Sequence, residues 1–105
     1  MKKYYAQHVK ITAKPGMRDE LIKALQQLTE QSDLLKPAAG CIYYLIGTTE
    51  ESDVVWLSEL WTSKEAKDAV ATDPESAKLM RDTFVPLVAS LGEPTITTVV
   101  GGVGI

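Results

Sequence analysis

The chain has one cysteine, Cys41, one histidine, His8, and one phenylalanine, Phe84. A lone thiol excludes a disulfide within the chain and any cysteine-rich zinc site. A lone imidazole excludes a site that needs two from one chain, and no metal site is expected. No apolar run approaches the roughly 18–20 residues of a membrane span. Met1-Lys2-Lys3 is followed by Gln7, His8 and Lys10, so no apolar signal core is expected. There is no basic run either. The chain carries 11 Lys and Arg against 14 Asp and Glu, a net charge of −3, and phosphate binding needs clustered cations. Gly101-Gly102-Val103-Gly104 has no helix after it and is not a dinucleotide fingerprint. Glu50-Glu51 reads as a solvated turn, and no paired carboxylates have hydrolase spacing. Linkers, repeats and low-complexity segments are also lacking.

The remaining composition is that of an ordinary globular protein. Of 105 residues, 45% are apolar and 24% charged, enough for one domain over residues 1–105 without covalent staples. The expectation is a cytoplasmic protein with no nucleic-acid or membrane partner.

Tyr4 to Ala13 reads as a strand that Lys14-Pro15-Gly16 breaks. Met17, Leu21, Leu25, Leu28 and Leu35, with Ala24, follow the helical period. Asp19 and Glu20 suit the positive end of that helix, and Pro37 ends it. Cys41–Ile46 and Val54–Trp61 flank the polar loop from Gly47 to Asp53, which suggests an antiparallel hairpin. Thr62 and Glu65 have capping-box spacing before a helix over Lys64 to Ala71. Asp73-Pro74 restarts a helix. Its stripe is Leu79, Met80, Phe84, Leu87, Val88 and Leu91, with Pro86 kinking it or ending it early and Gly92 closing it. Glu93 to Val100 reads as the last strand.

The order β-α-β-β-α-(α)-β predicts an α+β, ferredoxin-like fold: an antiparallel sheet with helices on one face. Val54, Trp56, Ser58 and Leu60 share one face of the third strand, and Val55, Leu57, Glu59 and Trp61 the other. The second strand divides into Cys41, Tyr43 and Leu45 against Ile42, Tyr44 and Ile46. Both faces are substantially apolar, whereas a sheet covered on one side normally shows water a polar face. A homodimer with its sheets facing each other resolves this.

Three segments carry a family resemblance: Lys14-Pro15-Gly16-Met17-Arg18-Asp19-Glu20-Leu21, Gly40-Cys41-Ile42-Tyr43, and Glu59-Leu60-Trp61-Thr62-Ser63-Lys64-Glu65-Ala66. In order and spacing, over about residues 4 to 100, the chain resembles the antibiotic biosynthesis monooxygenase family. The resemblance implies a dimeric α/β barrel with a pocket between helices and sheet in each subunit. It also implies oxidation of a small quinol, phenol or polycyclic aromatic by molecular oxygen without cofactors. Quinol-oxidising relatives often carry histidines where this chain has Val70 and Glu75. The helix histidine that ligates iron in haem-cleaving relatives falls near Leu79, which argues against haem cleavage.

Cofactor-free oxygenation needs a base to make the ring electron-rich, donors for developing charge, and a dry aromatic-lined cavity. His8 is a natural candidate, because histidine exchanges protons near neutral pH. The alternative is a half-buried strand histidine with a satisfied hydrogen bond. Trp61 is the second catalytic candidate, stacking on the substrate and donating its indole N–H; its alternative is plain core. Glu59 shares a face with Trp61 and needs a partner if buried, either a pocket residue or a structural ion pair. One of Tyr43 and Tyr44 lines the pocket and the other the dimer seam. Met80 and Phe84, one helical turn apart, roof the pocket or simply pack. Cys41 has no basic neighbour in sequence and reads as a small buried hydrophobe. The rival to an oxygenase is a non-catalytic dimeric module that binds a small aromatic or hydrophobic ligand in the same pocket.

Overall fold

The computed structural model describes residues 2–105. Strand β1 spans Tyr4–Ala13. Helix α1 spans Arg18–Gln31, with Asp19 and Glu20 in its first turn. Its buried residues Leu21, Ala24, Leu25 and Leu28 form the apolar stripe expected of a helix on a sheet. The helix stops earlier than the leucine spacing suggests. Leu35 lies in a separate 3-10 turn, Asp33–Leu35, whose start is held by Ser32 Oγ accepting from the Leu34 N–H.

A second short turn, Pro37–Ala39, leads into Gly40 at φ 97°. A Cβ there would meet Thr62 Oγ1 at 2.5 Å and Ala66 Cβ at 2.9 Å. Glycine is thus required both by the left-handed backbone and by the close approach of α2. The hairpin follows as β2, Cys41–Thr48, and β3, Val54–Trp61. Helix α2, Lys64–Thr72, is capped by Ser63, whose hydroxyl accepts from Ala66 N–H; the expected Thr62–Glu65 box is displaced by one residue. Helix α3, Pro74–Leu79, is capped by Asp73, as its Asp-Pro start indicates.

The region around Pro86 differs from the sequence expectation. The chain widens into a π turn over Met80–Phe84 and tightens into a 3-10 turn at Val85–Leu87. It then becomes strand β4, Val88–Leu91. Proline has no N–H to return to the preceding turn, so the helix cannot run through it. Val88 and Leu91 therefore belong to a strand and not to a helical stripe. The last strand, β5, is Thr95–Val99.

All pairings are antiparallel, in the order β2-β3-β1-β4. Strands β4 and β5 occupy one edge of β1 in succession, at Ile11–Ala13 and at Tyr4–His8. This is the ferredoxin-like α+β arrangement. Register assigns the two faces. Tyr5, Gln7, Val9 and Ile11 stand opposite Trp61, Glu59, Leu57 and Val55. That face carries the core: Val9, Ile11, Leu21, Leu25, Val55, Leu57 and Phe84 in one cluster, and Leu28, Leu35, Cys41, Trp61 and Val70 in another. The second face presents His8, Lys10 and Ser58 beside Tyr43, Leu45, Trp56 and Leu60. A bulge between Cys41 and Tyr43 moves Cys41 from the Tyr43 face to the core, against the simple alternation expected of it.

Candidate active site

A cavity of about 390 Å³ lies between the core face of the sheet and the helices, within the range of small-molecule sites. Its walls are mainly aliphatic and aromatic: Leu25, Leu28 and Leu57 beside Trp61, Met80 and Phe84. Ala71, Leu91 and Pro94 line it and are exposed, so they mark its open side. Among the described residues, four with polar side chains line this space: Gln7, Tyr44, Glu59 and Lys67.

Glu59 is the chemical centre of this arrangement. Its residue is 6% exposed, and it is the only buried residue with a formal charge among those described. Trp61 Nε1 donates to Glu59 Oε1 at 3.0 Å, and Gln7 Nε2 donates to Oε2 at 3.3 Å. Trp61 reaches it because residues two apart on a strand share a face; Gln7 reaches it because it stands directly opposite in β1. Burial pushes the Glu59 carboxyl above the ordinary carboxylate range, although Trp61, Lys67, Gln7 and His8 each pull it partly back. A carboxylate so placed takes a proton from a bound hydroxyl more readily than one in water. Tyr44 stands opposite Glu59 in β2. Burial, followed by the Glu59 charge and then Cys41, raises its phenol, so it stays a neutral donor.

Trp61, Glu59, Tyr44, Met80 and Phe84 are thus brought together around one cavity. His8 and Tyr43 are not. His8 pairs with Ser58 and Thr95, on the sheet face away from the helices. Its Nδ1 lies 3.2 Å from Ser58 Oγ. The expected His8–Trp61 pocket does not form, because even and odd positions of β1 point to opposite sides. Tyr43 stands opposite Leu60 on that second face, so Tyr44 is the tyrosine that lines the cavity. The Cys41 thiol is pushed up to about 11, first by burial and then by the Glu59 charge, with Lys36 opposing. It is inert as a nucleophile at neutral pH.

Two of the polar lining residues escaped the sequence reading. Gln7 was legible by phase, since Val9, Ile11 and Ala13 mark the core side of β1 and Gln7 belongs to their set. Lys67 precedes buried Val70 by one helical turn on α2, but nothing in its own sequence neighbourhood separates it from a surface lysine.

Among the described residues, no group of three or more His, Cys, Asp or Glu is placed to hold a metal ion. No helix among them is long and apolar enough to cross a membrane.

Comparison with known proteins bears on what this cavity does. The family model for antibiotic biosynthesis monooxygenases matches residues 4–82. A crystal structure of a candidate antibiotic biosynthesis monooxygenase from Chloroflexus aurantiacus is 30% identical, with a TM-score of 0.79. The match covers 94% of this chain and 95% of that one. A similarly described protein from Caulobacter crescentus is 19% identical over 93% of this chain and 89% of its own, with a TM-score of 0.72. A protein from Shewanella oneidensis is 20% identical over 95% and 96%, with a TM-score of 0.74. These last two bear on the fold alone. No curated protein matches the sequence significantly.

Proposed function

Since the chain belongs to the antibiotic biosynthesis monooxygenase family, which supports a general monooxygenase-like role, we propose that it oxidises a small quinol, phenol or polycyclic aromatic with molecular oxygen in the Glu59 cavity. The observation that carries this reading is a buried carboxylate in an apolar space, oriented by Trp61 and Gln7 and reluctant to hold its charge.

The aromatic ring occupies the space between Trp61, Met80 and Phe84, with a hydroxyl directed at Glu59. Glu59 accepts that proton, and the ring becomes electron-rich enough to reduce oxygen. For a quinol the balance closes without a prosthetic group. One oxygen atom enters the ring and the other leaves as water, and the ring, becoming a hydroxyquinone, supplies all four electrons. Tyr44 donates to the oxygen on which charge develops. The apolar walls keep water from competing with the ring for the base.

The same reading assigns the domain to the whole of residues 1–105, working in the cytoplasm, where a lone thiol such as Cys41 stays reduced. It also assigns a homodimer joined through the second sheet face. Trp56 is 39% exposed and Leu45 57% exposed there, on adjacent strands, and a second copy is the cover that such a face favours. His8 and Tyr43 then belong to the seam and not to the chemistry.

The test is oxygen uptake by metal-free protein with a panel of quinols, corrected for autoxidation, beside Glu59→Gln. Uptake above background that the variant loses is the expected result. Saturable binding without uptake would make the protein a binding module, and uptake retained in Glu59→Gln would remove Glu59 as the base.

A further inference from the structure

Among the described residues, Lys67 is the one cation lining the cavity. It lies on α2, with Val70 and Ala71 beside it on the same wall. Among the described residues, no ion pair or side-chain hydrogen bond involves its ammonium group, and the ion pairs found there join Lys10 to Glu51, Lys64 to Asp68 and Lys78 to Asp82. Its charge favours ionised Glu59, so the two groups sense each other, yet no contact within 4.0 Å joins them. Glu59 does not need it: each carboxylate oxygen already receives one donor, from Trp61 and from Gln7. Among the described residues, the cavity therefore presents a satisfied carboxylate and, apart from it, a half-buried lysine whose ammonium has no acceptor from the protein.

A neutral quinol would answer only half of this arrangement. Its hydroxyl suits Glu59, but it offers nothing that Lys67 prefers to water. A ring bearing both a hydroxyl and an anion answers both groups, and the aliphatic and aromatic lining of the cavity accommodates the ring itself. We infer that Lys67 is a specificity-determining residue, and that the cavity selects a hydroxylated aromatic carboxylate over a neutral phenol of the same shape. The inference rests on the cavity being the substrate site, and it names the class of substrate that the oxygenase reading leaves open.

Two para-substituted phenols, one anionic and one neutral, test it without turnover: 4-hydroxybenzoate and 4-methylphenol, titrated calorimetrically under anaerobic conditions at pH 7. Burying a carboxylate in an apolar cavity is unfavourable unless a partner meets it. Without Lys67, 4-methylphenol binds the tighter of the two. With it, 4-hydroxybenzoate does, and its advantage shrinks as salt is added. Lys67→Gln should move the affinity ratio toward 4-methylphenol by roughly two- to fivefold, the scale of one partly exposed ion pair, and Lys67→Arg should restore the preference. A wild-type preference for 4-methylphenol, a ratio unchanged in Lys67→Gln, or no binding of either probe would overturn the inference. The readout is independent of oxygen uptake. If the preference holds while no quinol is oxidised, the site binds aromatic acids and only the oxygenase reading falls.

Discussion

Replacing Trp61 with phenylalanine isolates the contact that orients the proposed base. The indole N–H meets Glu59 Oε1 at 3.0 Å, with Trp61 1% exposed and Glu59 6% exposed, so water does not readily replace it. A hydrogen bond to a buried charged acceptor is worth about 2 kcal/mol. The smaller ring also leaves space in a packed core, which costs about 1 kcal/mol more. The expected loss is therefore about 3 kcal/mol, a large share of the roughly 5–15 kcal/mol that holds a domain together.

The same substitution made in a Glu59→Gln background should cost less. The glutamine carbonyl still accepts from Trp61, and Gln7 can turn its amide to present oxygen to the new NH2, but the acceptor is neutral. Such a bond is worth about 1 kcal/mol, so the double-mutant cycle should show a coupling near 1 kcal/mol, above the roughly 0.3–0.5 kcal/mol at which sites count as independent. Urea denaturation at pH 8, at one fixed protomer concentration, measures all four corners. Equal costs for Trp61→Phe in the two backgrounds would refute the charged hydrogen bond as the element that orients Glu59.

Three further outcomes follow from the geometry. The folded protein holds the Glu59 proton to higher pH than the unfolded chain does, because burial raises its carboxyl. Its contribution to stability is thus fully present below the ordinary glutamate range and is lost as pH rises through the raised folded value. Oxygen uptake should rise over that same interval, and denaturation midpoints taken across pH should show Glu59→Gln overtaking the wild type above it; a constant difference between the two would contradict this. His8→Ala should leave quinol oxidation intact, since His8 faces away from the cavity toward Ser58; loss of uptake with folding and dimerisation preserved would return His8 to the chemistry. Trp56→Glu, which places a charge on the proposed seam, should shift sedimentation from dimer to monomer, and an unaltered dimer would move the interface elsewhere.

The architecture was legible because each element carries a local signal. β1 ends at Lys14-Pro15-Gly16, α3 starts on Asp73-Pro74, and the hairpin brackets a polar loop, and all three stand as the residue types indicate. What failed was continuity. The stripe from Leu79 through Leu91 keeps a helical spacing, but after the turn at Pro86 Val88 and Leu91 are spaced within a strand. Sparse apolar positions fit both periods, and only the missing N–H decides between them. The bulge at Cys41 is a failure of the same kind, since one inserted residue reverses every face assignment before it.

His8 lies off the cavity for a reason that applies to any strand carrying one conspicuous polar residue. Histidine draws attention by its chemistry, but a strand places residues by phase, and His8 is out of phase with Val9, Ile11 and Ala13. The same alternation sets Gln7 toward the core, opposite Glu59. A base is made less by the residue type that titrates nearest neutrality than by the surroundings that move a titration there. Glu59 has those surroundings: low polarity on most sides, two donors holding its orientation, and an ammonium within electrical reach. None of these neighbours is adjacent to it in sequence except Trp61, two residues on. Sheet register supplies Gln7 and Tyr44, and a helix packed across the sheet supplies Lys67. The surroundings that suit Glu59 to the proposed role are thus a property of the assembled face, and one-residue phase is the physical variable that separates it from His8.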